Sequence, residues 1–134
     1  MELKRVVVTG LGTINPLGHN VADTWEAAKN GVSGAGPITH FDASKFKTQF
    51  ACEVKGYDPK DHFDRRQMRQ LDLYAMYAMT AADEAIADAG IDAEGVDKNR
   101  VGVVFAAGIG GLHTFEEEAG YYAVHGEEQG PKYN

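Results

Sequence analysis

Two glycine-rich loops are the first candidates for chemistry in this chain of 134 residues. Each follows an apolar segment: Gly10-Leu11-Gly12 comes after a run of three valines, and residues 108–111 (Gly-Ile-Gly-Gly) come after the apolar stretch 101–107. In α/β folds, ligands gather at the carboxyl ends of strands. The first loop is thus a candidate for holding a diphosphate on its backbone amides. The second is a candidate for contact with an apolar group.

The first loop begins like a dinucleotide-binding motif but departs from it. The motif G-x-G-x-x-G opens a helix at once, so that the helix N-terminus faces the pyrophosphate. Here the third glycine position holds Asn15, and the following Pro16 disfavours helical geometry at Asn15. The pattern favours a tight structural turn at the end of a strand. A nucleotide-binding module is the alternative.

The second loop places one bulky apolar side chain, Ile109, among three glycines. Because glycine backbone is conformationally permissive, Ile109 could swing and gate an apolar pocket. The alternative is that these glycines only make the tight turn between a strand and a helix.

Three arginines form a basic cluster in an acidic chain. The net charge of −7 argues against general nucleic-acid binding. Arg65, Arg66 and Arg69 nevertheless lie where a long helix is predicted to begin, and cations there oppose the helix dipole. The cluster therefore indicates a docking patch for an anionic partner. A solvated helix face, partly offset by Asp61 and Asp64, is the alternative.

The cysteine and histidine patterns predict no catalytic or metal site. Cys52 is the single cysteine, which excludes an internal disulfide, and its strand-like surroundings are typical of a buried or edge-strand thiol. An activated thiol would need an electropositive setting. The five histidines have neither H-x-x-x-H spacing nor a cysteine partner. We expect no metal and no cofactor.

The composition, 43% hydrophobic and 25% charged, is that of an ordinary globular domain. The apolar runs are too short to span a membrane. Only three apolar residues follow Lys4 and Arg5 before Thr9, too few for a signal peptide. We expect a cytoplasmic protein with no membrane partner.

Helical and strand patterns alternate along the chain. They predict strands at 3–9 and 101–107, an extended edge segment at 48–55, and helices at 20–30 and 112–124. The strongest pattern predicts one long helix over 64–90, with an apolar stripe that is mostly alanine and suited to close packing. This order indicates a layered α/β fold. Two buried-type strands alone would leave the edges and faces of a sheet uncovered. We therefore expect this chain to be the first part of a larger domain.

Together these motifs resemble the N-terminal part of the β-ketoacyl-acyl carrier protein synthases, over the whole chain. The loop 108–111 looks like that of the type II condensing enzymes, whereas type I members resemble a Gly-Ser-Gly-Gly version. The resemblance is carried by Trp25 and by residues 4–12, 15–18, 31–34, 40–42, 64–66, 87–90 and 100–102.

The resemblance implies that residues 1–134 are the N-terminal portion of a thiolase-like α/β/α domain from a protein that is usually a homodimer. It implies a decarboxylating Claisen condensation in fatty acid synthesis. An acyl group moves from its carrier protein to an enzyme cysteine, malonyl-carrier protein loses CO2, and the carbanion attacks the acyl thioester. The family's Cys-His-His site would lie after Asn134. We therefore expect no catalytic residue in this chain and no condensing activity from it alone.

The resemblance also assigns binding roles to individual residues. Gly108 and Ile109 would contact substrate, with Ile109 as the gate of the acyl pocket. Arg66 and Arg69 would dock the acyl carrier protein, and Lys132 falls near another docking segment. A non-catalytic chain-length-factor subunit, which shares this N-terminus but lacks the cysteine, is the alternative.

Overall fold

A computed structural model describes residues 3–126. The regular secondary structure of this part of the chain is mainly helical, with one pair of short strands. The elements, in chain order, are α1 (Val21–Lys29), β1 (Ala35–Pro37), β2 (Phe50–Cys52), α2 (Arg65–Gln70), α3 (Leu73–Ala89) and α4 (Leu112–His125), with 3₁₀ turns at Pro59–Asp61 and Lys98–Arg100.

The chain divides into two compact units. One contains the residues up to Tyr57 together with Met79–Val101, and the other contains Asp58–Ala78 together with the residues from Gly102 on. The first glycine loop and the larger part of α3 belong to the first unit. The helix α2, the start of α3, the second glycine loop and α4 belong to the second unit.

Helix α1 confirms the prediction for residues 20–30. The side chain of Asn20 caps its N-terminus, because the Asn20 Oδ1 atom accepts a hydrogen bond from the Asp23 N–H at 2.7 Å. The helix ends at Lys29, and Gly31 follows with φ 66°, a left-handed conformation that favours glycine. Local capping signals therefore define both ends of this helix.

The two strands pair as an antiparallel ladder in the first unit. Ala35 lies opposite Cys52 and Pro37 opposite Phe50, and the N–H of Ile38 donates to the carbonyl of Gln49 at 3.1 Å. The predicted extended segment at 48–55 is thus confirmed over its middle. Cys52 is an exposed thiol at the end of this ladder.

The Glu53 carboxylate links the two chain segments just beyond the ladder by hydrogen bonds to Thr39. Glu53 accepts the Thr39 backbone N–H at 2.9 Å and the Thr39 hydroxyl at 2.7 Å. These two hydrogen bonds, the backbone one first, hold the pKa of the Glu53 carboxyl below its ordinary value of 4.5. The charged form of Glu53 therefore supports the connection between β1 and β2.

The predicted strands at 3–9 and 101–107 are wrong for this structure. Within residues 3–126 the only ladder is the one between β1 and β2, so neither segment has a neighbouring strand to pair with. Their side chains stand in solvent: Val6 is 90% exposed and Val104 is 98% exposed. A strand depends on hydrogen bonds from its neighbours, and the described residues supply none to these segments.

The single long helix predicted over 64–90 is also wrong, because the chain breaks into α2 and α3. A helix starts at Asp64, as the sequence predicts, and the structure shows that Asp64 forms a capping box with Gln67. The break follows Gln70: Leu71 is extended (φ −112°, ψ 132°), and Asp72 then begins α3 by accepting hydrogen bonds from the N–H groups that follow it. Aspartate competes with the helix interior in this way and favours helix starts.

The described residues contain little buried core. Ala43 is the buried apolar residue of the first unit, and Phe63 and Met76 are those of the second. The predicted alanine stripe of α3 is half-buried along its length. None of the helices within residues 3–126 has the length and apolarity needed to cross a membrane.

Candidate functional site

Carboxylates from α3 occupy the backbone amides of the first glycine loop. The N–H of Leu11 donates to Asp88 Oδ2 at 2.9 Å. The N–H of Thr13 donates to Glu84 Oε2 at 2.9 Å, and the N–H of Val21, the first residue of α1, donates to Glu84 Oε1 at 2.8 Å. A diphosphate would need such amides free and would be repelled by the two carboxylates.

The glycines of this loop also pack directly on the backbone of α3. A Cβ atom placed on Gly10 would lie 2.5 Å from the carbonyl oxygen of Ala85, and one placed on Gly12 would collide with the carbonyl oxygen of Ala81. This close approach explains both the glycines and the small residues of the alanine stripe. It leaves no room for a ligand between the loop and the helix.

Asn15, at the third glycine position of the motif, closes the loop as a turn. Its Nδ2 group donates to the hydroxyls of Thr13 (3.0 Å) and Thr24 (2.9 Å), and its Oδ1 accepts the N–H of Leu17 at 2.8 Å. The backbones of Asn15 and Gly18 pair with each other. The tight turn predicted for this loop is therefore confirmed, but the strand that it was predicted to end is not formed.

The second glycine loop is built differently at its two ends. Ile109 is 72% exposed, and a Cβ atom placed on Gly108 would meet no atom within 4 Å. A Cβ atom placed on Gly110 would lie only 2.7 Å from Cζ of Tyr74. Gly111 has φ 64° and precedes the first residue of α4. The loop is thus open around Ile109 and closely packed where it enters α4.

Asp72 connects the start of α3 to the first turn of α4. Its Oδ2 atom accepts a hydrogen bond from the Thr114 hydroxyl at 2.5 Å, and its Oδ1 atom accepts one from the Tyr74 N–H at 3.3 Å. The residues Asp72 and Thr114 are 42 positions apart in sequence. The aspartate that contacts α4 therefore also bonds the backbone of Tyr74, whose ring lies beneath Gly110.

The two arginines predicted as docking residues lie on α2, in the same unit as Ile109. Both are exposed, and neither guanidinium forms an ion pair or hydrogen bond with another residue of the described chain. Because α2 ends at Gln70, Arg69 lies in the last turn, where a cation is favourable, and not near a helix start as expected. The third docking candidate, Lys132, lies outside the described residues.

Neither loop is built to hold a metal ion. Among residues 3–126, no three histidine, cysteine, aspartate or glutamate side chains come together in a way that could bind one. The carboxylates beside the first loop, Glu84 and Asp88, accept backbone N–H groups.

Sequence reasoning identified the glycine loops but missed the side chains that support them. Glu84 and Asp88 are four positions apart on one helix face, which the printed sequence shows, but nothing marks them as partners of loop amides. Asp72 could have been recognised as a helix start, because aspartate is a preferred capping residue. The contact of Tyr74 with Gly110 leaves no sequence signal.

The two loops therefore differ: the first glycine loop is a structural turn, and the second exposes an apolar side chain. Residues 3–132 match the model of the family described as beta-ketoacyl synthase, N-terminal domain. The chain belongs to this family. The thiolase-like fold expected from the sequence is thereby confirmed.

Individual relatives are similar over most of this chain but are much longer. The 3-oxoacyl-[acyl-carrier-protein] synthase 2 of Coxiella burnetii is 44% identical over 117 residues, which cover 87% of this chain and 28% of that protein. A beta-ketoacyl synthase structure from Burkholderia phymatum STM815 matches with a TM-score of 0.67 and 25% identity, over 95% of this chain and 31% of its own. The ishigamide ketosynthase/chain length factor matches with a TM-score of 0.57 and 36% identity, over 63% of this chain and 21% of its own.

Proposed function

We propose that this chain is the N-terminal part of a type II β-ketoacyl-acyl carrier protein synthase, and that the whole enzyme extends acyl chains in fatty acid synthesis. The proposal extends the name of the Coxiella burnetii relative, 3-oxoacyl-[acyl-carrier-protein] synthase 2, to a chain that spans 28% of that protein's length. The domain boundary is proposed in the same way: residues 1–134 precede the nucleophilic cysteine.

The proposed reaction transfers an acyl group and forms one carbon–carbon bond. The enzyme cysteine displaces the carrier-protein thiol from an acyl thioester and becomes acylated. Malonyl-carrier protein then loses CO2, and the electron pair of the broken bond forms a carbanion that attacks the acyl carbonyl. The cysteine thiolate leaves, which yields a 3-oxoacyl-carrier protein. Donors that stabilise the developing oxyanion would come from residues outside this chain.

Within this scheme the present chain binds and selects substrates. Ile109, with Gly108 beside it, borders the pocket that receives the acyl chain. Arg66, Arg69 and Lys132 attract the acidic carrier protein that bears the thioester. The whole enzyme acts as a homodimer in the cytoplasm.

One observation carries the proposal: Ile109 is the exposed apolar side chain in an otherwise glycine loop. In the second unit this loop has open space at Gly108 and a firm support at Gly110. An isoleucine set in this way is suited to contact an alkyl chain and to move aside for a longer one. The first loop has no comparable freedom, because its amides and glycines are held against α3.

A chimera tests the proposal directly. In it, residues 3–132 replace the matching N-terminal segment of the Coxiella burnetii relative, so that the chain works beside a complete set of catalytic residues. Supplied with an acyl-carrier protein and malonyl-carrier protein, the chimera is expected to release CO2 and to form 3-oxoacyl-carrier protein, measured by mass spectrometry. The 134-residue chain alone is expected to form none. A folded chimera without product, or decarboxylation by the chain alone, would contradict the proposal.

The docking role has its own test in the same chimera. Reversing the charge of both arginines, Arg66→Glu with Arg69→Glu, is expected to raise the KM for carrier protein about tenfold at low salt and less at high salt. The matched control reverses Lys45 and Lys47, two exposed cations in the other unit, and is expected to leave KM unchanged. Equal KM values for both variants would argue against the patch.

A second candidate is a non-catalytic chain-length-factor subunit, favoured by the match to the ishigamide ketosynthase/chain length factor. Such a subunit would present the same loops but no nucleophile. The two candidates differ in the codons that follow Asn134 in the source DNA. A nucleophilic cysteine there supports the synthase, and a frame that continues without one supports the chain-length factor.

A further inference from the structure

The loop 108–111 has one free end and one fixed end. A Cβ atom on Gly108 would meet nothing within 4 Å. A Cβ atom on Gly110 would lie 2.7, 2.8 and 2.9 Å from Cζ, Cε2 and Cε1 of Tyr74, so the Gly110 backbone rests on the ring itself. Real Cβ atoms do not approach a ring so closely, which means that only glycine fits while Tyr74 stays in place. Ile109 lies between these two ends.

The backbone of Tyr74 is fixed at the start of α3, while Tyr74 as a whole is 45% exposed. The N–H of Tyr74 donates to Asp72 Oδ1, and the hydroxyl of Thr114 donates to Asp72 Oδ2. Two residues after Tyr74, Met76 is buried. Because Thr114 belongs to the first turn of α4, Asp72 fixes the turn that carries the ring relative to the helix that follows the loop.

We infer that Tyr74 is a positioning residue for the proposed acyl gate, and this inference rests on the proposed function. Its ring fixes Gly110, so that Ile109 moves only about the backbone of Gly108. The arc open to Ile109, and with it the length of alkyl chain that the pocket accepts, is set by Tyr74. Asp72 and Thr114 fix the backbone turn from which the ring extends.

Alanine substitutions of two glycines in the second unit, Gly110 and Gly120, separate this anchor from a general effect of an added methyl group. In the chimera, Gly110→Ala is expected to push the loop off the ring and to change the ratio of kcat/KM for long and short acyl thioesters about tenfold. Gly120→Ala, which adds the same methyl group in open space on α4 of the same unit, is expected to leave the ratio within about twofold. The KM for malonyl-carrier protein is expected to stay the same in both.

Removing the ring provides a rescue that a merely structural defect would not show. Combining Tyr74→Ala with Gly110→Ala removes the collision between the new methyl group and the ring. The double variant is therefore expected to have the same ratio of kcat/KM for long and short chains as Tyr74→Ala alone. Tyr74→Phe keeps every ring atom that meets Gly110 and is expected to retain the wild-type ratio. A ratio that is the same in Gly110→Ala and Gly120→Ala, or unchanged by Tyr74→Ala, overturns the inference.

A measurement on the 134-residue chain keeps this test separate from the proposed function. The δ1 methyl of Ile109 is followed by NMR relaxation, and Tyr74→Ala is expected to increase its motion while Tyr74→Phe leaves it unchanged. If the chimera makes no product but the methyl responds in this way, the proposed function fails and the anchor stands. If the chimera is active but the methyl does not respond to Tyr74→Ala, the anchor fails and the proposed function stands.

Discussion

Replacing Glu84 with glutamine is expected to weaken two hydrogen bonds to the backbone amides at the first glycine loop by different amounts, so that each bond can be measured separately. The carboxylate accepts two backbone N–H groups, from Thr13 at 2.9 Å and from Val21 at 2.8 Å, one on each oxygen. Glutamine has the same shape but offers one oxygen and one NH2 group. One of the two amides therefore keeps a neutral acceptor, and the other faces a second donor.

The expected loss follows from the type of each hydrogen bond. A hydrogen bond to a charged acceptor contributes about 1.5–3 kcal/mol, and one to a neutral acceptor about 0.5–1.5 kcal/mol. The amide that keeps an oxygen loses about 1 kcal/mol, and the amide that faces the NH2 group loses about 2 kcal/mol. At about 1.4 kcal/mol for each tenfold change, protection from hydrogen exchange falls about fivefold at one amide and about thirtyfold at the other.

The assay is amide hydrogen exchange read by NMR at Thr13 and Val21 in Glu84→Gln. The matched control is Asp83→Asn, which removes the same charge from the neighbouring position, where the exposed carboxylate accepts no hydrogen bond from the described residues. The control is expected to leave both amides unchanged. If the exchange rates of the Thr13 and Val21 amides are each the same in Glu84→Gln as in the wild type, the assignment of these hydrogen bonds is refuted.

Three further predictions concern the packing, the pH response and the ligand preference of the chain. Gly12→Ala is expected to destabilise the chain by about 1–3 kcal/mol in urea unfolding because its methyl group meets the α3 backbone, while Gly102→Ala, in open space, changes stability little. Because the folded pKa of Glu53 is lowered, its contribution to stability is complete above its ordinary pKa of 4.5 and is lost as the pH falls through the lowered value. An NMR titration of Glu53 checks this, and Thr39→Val is expected to raise its pKa part of the way toward 4.5, since the backbone bond remains. Titration with NADH is expected to give no saturable fluorescence change, and saturable binding would show that the amides of the first loop are open to a diphosphate.

The helices that the sequence predicted well are those whose signals are local. Asn20 and Gly31 mark the two ends of α1 by capping chemistry alone, and the helix is observed between them. Helix α4 is likewise observed at Leu112–His125, one residue longer than expected. The alanine spacing correctly predicted a helix that packs closely, which α3 does against the first glycine loop. It did not predict that the helix is interrupted before Asp72.

The features that sequence reasoning missed depend on residues far apart in the chain. The segments 3–9 and 101–107 have apolar strand patterns, but strand pairing needs a neighbour that no local pattern supplies. The glycines of the second loop were visible, whereas the Tyr74 ring beneath Gly110 is a tertiary contact. The same holds for the hydrogen bond between Asp72 and Thr114.

The central claim of the proposed function is that the second glycine loop, and not the first, selects the substrate. Its most direct test compares Ile109→Phe with Leu11→Phe in the chimera. Each substitution replaces an exposed aliphatic side chain between two glycines with a larger aromatic one: Ile109 is 72% exposed and Leu11 is 56% exposed. The measured quantity is kcat/KM across acyl chain lengths. Ile109→Phe is expected to lower it for long chains about tenfold more than for short ones, whereas Leu11→Phe affects all lengths alike. A uniform effect of Ile109→Phe, or a length-dependent effect of Leu11→Phe, would contradict the claim.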